Sequence, residues 1–347
     1  MVAEKLTGIE YSLTELVAHL PEADTQTEFV LYLNFVRKEY MERFIERVQP
    51  LLSERVQAYV CRIPNRVMQV LHGSMKYPLD WTIGQCNAVL YPAFAMHSQR
   101  QGARVATIHD LLPITHAEYF SAKHAADFRR IVPRIANEAD ALIAVSEYTK
   151  RMLVERLGIA PAKVTVVHHG VSPLFCPAES TEIARVREKF GLSKPYVLFV
   201  GTAEPRKNLN RLVEAMTILN RHYGHDIDLV LAGKAAWGSQ GLKECIEKYA
   251  FHRHVHLLGH IEVSELPAIY SGALAAVQPS IAEGFGLPVL EAMACGTPIV
   301  VANSSSLPEV AGNAALQFDP QQVDELAHQL SRVAEGTQLR EDLIQQG

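Results

Sequence analysis

Short apolar runs alternate with longer stretches of helical periodicity along most of this chain. The runs are Phe29–Leu33, Ala58–Cys61, Arg104–Ile108, Ala141–Val145, Val164–Val167, Tyr196–Val200, Ile227–Ala232, Val255–Leu258, Leu274–Val277 and Pro298–Val301. Several are apolar on consecutive residues rather than alternate ones, the pattern of strands buried on both faces of a parallel sheet. Ser121–Asn137 (with Pro133 inside it), Leu209–Arg221 and Pro288–Cys295 read as helices between them. Strand–helix–strand repetition predicts an α/β protein built from open, doubly wound sheets.

The alternation breaks once, between about His169 and Lys194, where Gly170, Pro173, Pro177, Gly191 and Pro195 punctuate the chain. An N-terminal domain over 1–170, a linker over 171–194 and a C-terminal domain over 195–347 follow. Two halves of similar size suit a chain of 347 residues. At the start, Gly8 stands where the glycine turn after a first buried strand belongs, and an amphipathic helix follows it. Glu4 and Lys5 are poor material for a central strand. The first strand is therefore expected to be missing, and the chain to be shorter than its natural domain at the N-terminus and also at the C-terminus.

Composition narrows the function. A net charge of −5 argues against general nucleic-acid binding, which needs a basic surface. Cys61, Cys86, Cys176, Cys245 and Cys295 form no CxxC pair and no even-numbered framework, so a reducing, cytoplasmic setting is expected. No stretch approaches the roughly 18 apolar residues of a membrane span, and Met1–Leu6 has no apolar core of the signal-peptide kind.

The chemistry concentrates in Glu283-Gly284-Phe285-Gly286-Leu287-Pro288-Val289-Leu290-Glu291 and its continuation to Pro298. A strand ends in Gln278-Pro279-Ser280, a loop with two glycines follows, Pro288 suits the first turn of a helix, and Gly296 suits its end. A glycine-rich loop thus feeds a helix N-terminus at the C-terminal edge of a sheet, where α/β proteins hold ligands and anions. Glu283 and Glu291 bracket this element, and carboxylates accept hydrogen bonds from paired sugar hydroxyls. Upstream, Arg206 and Lys207 follow a buried strand and are expected to open a helix. Cations there are locally unfavourable unless an anion is near, and a diphosphate is the expected one.

The segment EGFGLPVLEAMACGTPIV resembles the retaining glycosyltransferases of family 4, of GT-B fold. The resemblance extends over nearly the whole chain, through Val200-Gly201-Thr202-Ala203-Glu204-Pro205-Arg206-Lys207-Asn208-Leu209, Thr107-Ile108-His109-Asp110-Leu111, Val145-Ser146-Glu147-Tyr148-Thr149, His168-His169-Gly170-Val171, Leu258-Gly259-His260 and Tyr270-Ser271-Gly272-Ala273. The EPRKN variant is most similar to the mannosyltransferase branch.

The resemblance implies two Rossmann-like domains facing a central cleft, the first for the acceptor and the second for the donor. It implies transfer of a hexose, mannose or glucose, from a GDP or UDP donor to a glycan or lipid-linked acceptor, with no metal or cofactor. Arg206 and Lys207 would neutralise the leaving diphosphate. Glu283 would sit at the donor sugar and Glu291 at the ribose. Gly284, Phe285, Gly286 and Leu287 would lend backbone N–H groups, and Gly8 would let backbone approach the diphosphate. His109 would stand against the donor sugar, while Asp110 either orients the acceptor or caps the next turn. The resemblance also allows peripheral membrane association at the inner face, and a role in polysaccharide assembly. A non-catalytic or truncated GT-B protein that binds nucleotide sugars is the runner-up, and an epimerase of similar fold the enzyme alternative.

Three features are set aside. Asp226-Ile227-Asp228 looks like a metal-binding DxD but is expected to open a strand. His252, His254 and His256 could share one strand face, yet no Cys or Asp partner for a metal is expected near them. Lys123, Arg130 and Arg134 share a helix face that Asp127 interrupts, and a solvated face is expected.

Overall fold

The computed structural model describes residues 8–34, 48–64, 77–94, 96–234 and 239–347, together with Glu42 and Val67. The expectations placed on Met1–Thr7, the missing first strand among them, lie outside the described residues. The chain divides into two units, the first comprising Met1–Ile108, Arg130–Ile143 and Leu157–Thr165, the second His109–Arg129, Ala144–Arg156 and Val166–Gly347.

In the first unit, β1 (Phe29–Asn34) pairs in parallel with β2 (Val56–Cys61), Phe29 opposite Val56. A four-stranded sheet follows in the order β3 (Ala88–Tyr91), β4 (Ala103–Ile108), β5 (Ala141–Ala144), β6 (Val164–Val166). Helix α1 (Gly8–Ala23) opens the unit, with Gly8 as its first residue.

The second unit is built on β7 (Tyr196–Val200), β8 (Asp228–Ala232), β9 (Val255–Gly259), β10 (Ala275–Gln278), β11 (Ile299–Ala302) and β12 (Ala315–Phe318). Their order is β12-β11-β10-β7-β8-β9, and every pairing is parallel. This is the doubly wound order in which the chain starts in the middle, builds to one side, then returns to build the other. Strands β8, β10 and β11 are buried along their whole length, which is why their sequences are apolar on consecutive residues. Tyr196, Leu198, Leu212 and Val300 lie in one continuous core, each large side chain of this kind contributing roughly 1.5–3 kcal/mol by its removal from water. The polar tip of Tyr196 is satisfied there, Oη donating to Ile269 O at 2.7 Å.

In chain order, the helices that position the site are α2 (Ala122–Glu138), α3 (Glu147–Leu157), α4 (Leu209–His222), α5 (Leu266–Ser271), α6 (Leu287–Ala294) and α7 (Leu307–Ala311). Strands β3 and β12 were not among the apolar runs. Each lies at the edge of its sheet, and their residues are largely half-exposed rather than buried. Among the described residues no helix is long and apolar enough to cross a membrane. The cysteines are all free thiols.

Candidate active site

The strand order reverses between β7 and β10, so the loops leaving those two strands diverge and open a crevice at the sheet's C-terminal edge. The loop after β7 carries Glu204, Arg206 and Lys207; β10 ends at Gln278, and the loop after it carries Ser280 and Glu283. Arg206 O accepts from Ile281 N at 2.8 Å, which ties the two loops together.

Glu283 is the centre of this edge. Its Oε2 accepts from Arg206 Nη1 at 2.7 Å, and its Oε1 accepts from Lys207 Nζ. The same Oε1 also accepts from Ser280 Oγ at 2.7 Å and Gln278 Nε2 at 2.9 Å. Arg206 further donates from Nε to Glu204 at 3.0 Å. Lys207 and Glu283 are both buried. Burial opposes ionisation of Glu283, but Lys207 and Arg206 beside it prevail and hold its carboxyl well below the usual range. Burial pulls the Lys207 ammonium down, with Glu283 acting against that pull. Removing two such charges from water is costly, and only their pairing makes it tolerable.

Arg206 and Lys207 do not open a helix as expected. Pro205–Lys207 is a single 3-10 turn, and Asn208 then adopts a left-handed conformation (φ 60°) before α4 begins at Leu209. The turn is fixed from the side chain of Asn208, which donates to Pro279 O at 3.1 Å and Pro320 O at 2.8 Å. Within the chain itself, Glu283 supplies an anion to the buried Lys207 and the partly buried Arg206.

Eight residues on, Glu291 has a different setting. It lies on α6 and accepts from Tyr270 Oη of α5 at 2.8 Å. Burial pushes its carboxyl up to about 7, the Tyr270 hydrogen bond only partly opposing this. Gly286 precedes the helix, Pro288 lies in its first turn, and Gly296 follows it in the left-handed region (φ 66°), as its position after Cys295 requires.

Gly284 is where the loop meets the segment after β4. A Cβ there would fall 2.3 Å from His109 O and 2.8 Å from Asp110 Cβ, so only glycine fits. Its own carbonyl accepts from Ser146 Oγ at 2.7 Å, and Thr149 Oγ1 is 3.3 Å from both Gly284 O and His109 O. Ser146 also accepts from Thr149 N at 3.0 Å, capping α3. Glu309 of α7 completes that cap, accepting from Glu147 N at 2.7 Å and Tyr148 N at 3.2 Å, with His168 Nε2 2.7 Å away. Asp110 Oδ1 accepts from Leu112 N at 2.8 Å, and burial pushes its carboxyl up. The His109 ring stacks on His169 (centroids 5.7 Å apart, planes 13°), and Phe285 meets His169 edge-on at 5.1 Å. Burial, with His109 and His168 adding to it, lowers His169 to about 4, so that ring is neutral at pH 7.

Two family models match the chain back to back. One described as Glycosyltransferase Family 4 covers residues 6–173, and one described as Glycosyl transferases group 1 covers 180–347. The chain belongs to glycosyltransferase family 4. An O-antigen chain mannosyltransferase B from Escherichia coli is 29% identical over 337 residues, spanning 93% of this chain and 85% of the relative. A serotype-specific mannosyltransferase WbdA from Escherichia coli is 30% identical over 227 residues, or 64% of this chain, which matches 28% of that longer protein. Among solved structures, Anabaena Alr3699/HepE in complex with UDP and glucose shares the fold with a TM-score of 0.75 at 19% identity, over 99% of this chain and 90% of that one.

This glycosyltransferase therefore brings His109, Asp110, Arg206, Lys207, Glu283, Gly284, Phe285, Gly286, Leu287 and Glu291 into its second unit, while Gly8 belongs to the first. Sequence reasoning gave no role to Gln278, Ser280, Tyr270, Ser146, Thr149 or Glu309. All but Gln278, Ser280 and Glu309 lie inside the quoted family segments, so membership of a motif without an assigned task was the available signal.

The histidine series needs a correction. His254 Nδ1 and His256 Nε2 lie 3.1 and 2.8 Å from the carboxylate of Asp228, so a carboxylate partner is close after all. Asp228 is the first residue of β8 and is buried, and the edge strand β9 brings the two alternate histidines to it. Asp226 pairs with Lys194 at 2.6 Å and lies 3.7 Å from His254 Nδ1. Among the described residues no cluster of three or more such ligands is arranged to hold a metal ion.

Proposed function

We propose that this glycosyltransferase transfers a hexose, mannose first among the candidates, from a GDP or UDP donor to a hydroxyl of a glycan, with retention of configuration and without a metal. The observation that carries the reading is the Arg206–Lys207 pair, Lys207 buried and Arg206 partly so, at the reversal point of a doubly wound sheet, beside the loop that feeds α6. Two fixed cations and a helix N-terminus are suited to the charge that grows on a departing diphosphate. Glu291 faces the ribose hydroxyls and Glu283 the donor sugar. The bond from the anomeric carbon to the diphosphate oxygen breaks as the acceptor oxygen bonds to the same face, and the acceptor's proton passes to the leaving diphosphate. The names of the Escherichia coli relatives support mannose and a polysaccharide acceptor; UDP and glucose in the Anabaena structure support a nucleotide-sugar donor. A lipid-linked glycan at a membrane face falls within the same reading.

Thermal shift with GDP, UDP and their hexose derivatives, each with and without EDTA, tests it on the wild type and Glu291→Ala. A shift by one nucleotide, insensitive to EDTA and lost in the variant, is the expected result. Turnover with that donor, followed by NMR of the anomeric proton, then reads retention directly. A cooperative melt that no nucleotide moves would overturn the reading.

A further inference from the structure

Beside the cation cluster lies a cavity of about 290 Å³, lined by Phe120, Ser121, His124 and Glu204. It approaches the lower end of the size range of small-molecule sites, about 300–1,000 Å³. Its walls come from the N-terminal end of α2 and from the loop that carries Arg206. His124 and Phe128 are four residues apart on α2, and Phe120 just before the helix extends the row, so the three rings form one ladder. Phe120 and His124 are stacked with centroids 5.6 Å apart and planes 15° apart, and His124 and Phe128 lie at 4.8 Å. Ser121 holds the helix start in place by accepting from His124 N at 3.3 Å. Glu204 closes the opposite side, its Oε2 bonded to Arg206 Nε at 3.0 Å, and Arg206 continues to Glu283.

From this geometry we infer that the cavity is a subsite for a neutral pyranose of the acceptor glycan. The inference rests on the glycosyl-transfer reading above and assigns the acceptor side of the same site. A pyranose presents an apolar face of C–H bonds and an equatorial rim of hydroxyls. Aromatic rings match the face, while a carboxylate and a hydroxyl match the rim. Three of the four lining side chains are polar, which disfavours a hydrocarbon chain. The ionisable side chain on the Glu204 wall is acidic, which disfavours a phosphate or an acidic sugar. Glu204 is one side chain from Arg206, so a sugar held here lies next to the diphosphate cluster, where the accepting hydroxyl must be.

Saturation-transfer NMR tests this, with irradiation of the aromatic protons and methyl α-mannoside, methyl α-glucoside, methyl α-galactoside and α-linked mannobioses as probes. GDP or UDP is present throughout. His124 and Ser121 are exposed, so His124→Ala and Ser121→Ala leave the core untouched. Transfer to the ring C–H protons of at least one neutral glycoside, cut at least fivefold in His124→Ala, is the expected result. The same variants should raise KM for that acceptor about tenfold while nucleotide thermal shifts stay at wild-type values. Saturation that is absent for every glycoside, or unchanged in both variants, overturns the inference. So does preferential binding of a sugar phosphate or of prenyl phosphate. Nucleotide shifts that persist in those cases show that the subsite assignment alone has failed; loss of both shows that the donor reading has failed with it.

Discussion

The two ends of the β10–α6 segment hold one glutamate each and treat it in opposite ways. At the loop end, Glu283 is buried but met by two cations, a hydroxyl and an amide, and it stays ionised. At the helix end, Glu291 is buried against an aromatic hydroxyl with no cation beside it among the described residues, and its proton is held to about pH 7. The same residue type, on one short stretch of chain, is thus a fixed charge in one place and a titrating group in the other. Burial alone does not decide which; the partner does.

Removing a partner from the charged end is expected to have the largest effect. Lys207→Met leaves the carboxylate of Glu283 buried with one cation fewer. Loss of about 3–5 kcal/mol of stability in urea unfolding is expected, with transfer slowed at least about 100-fold. A variant that kept wild-type stability would break the comparison.

The helix end is tested by pH. The carboxyl of Glu291 is raised in the folded chain, so the folded state holds the proton more tightly than the unfolded one. Its contribution is favourable below the ordinary carboxylate range and is lost as pH rises from about 4.5 to about 7. Against Glu291→Gln, the wild type should therefore lose roughly 3 kcal/mol between pH 4 and pH 8. Nucleotide affinity should rise over the same interval in the wild type, as the ionised carboxylate becomes available to ribose hydroxyls, and stay flat in the variant. Parallel stability curves for the two proteins would remove the contrast with Glu283.

Gly284 joins the loop end to the segment carrying His109 and Asp110. Gly284→Ala forces a methyl group against a carbonyl oxygen, and a loss of about 1–3 kcal/mol is expected. Transfer should fall out of proportion to stability, because Glu283 moves with its neighbour. The smallest effect belongs to the cap on α3. Glu309→Ala should cost about 1 kcal/mol by differential scanning calorimetry and leave the pH response of Glu291 unchanged.

Much of this was legible in the chain because the relevant elements are local. A buried parallel strand reads as an unbroken apolar run, and a loop feeding a helix reads as Gly-x-Gly-x-Pro. The α/β fold, the positions of β7, β8 and β10, and the helix at 287–294 followed from such cues. Strand β12 escaped because Gln317 interrupts its short apolar run at the sheet edge; β3, Ala88–Tyr91, is an unbroken run of four that was passed over. The partners of Gly284 escaped for another reason: Ser146 and Thr149 are more than a hundred residues away, and hydroxyls that reach a distant carbonyl leave no period or spacing behind. The geometry at Arg206 and Lys207 was misjudged because residues that follow a strand and precede a helix look like the helix's first turn. Only the left-handed Asn208 separates the two.

The resident carboxylate at the cation pair also has a physiological side. Cells hold abundant inorganic phosphate, and an open pair of cations, one buried and one partly so, would tend to be occupied by it. By carrying its own counter-ion in Glu283, the enzyme presents a charge-balanced pocket to small free anions and is shielded from bulk salt by burial. On the proposed donor reading, a nucleotide sugar offers more than negative charge, because its hydroxyls give Glu283 a new set of bonds. Discrimination against adventitious anions is, on that reading, built into the unliganded protein.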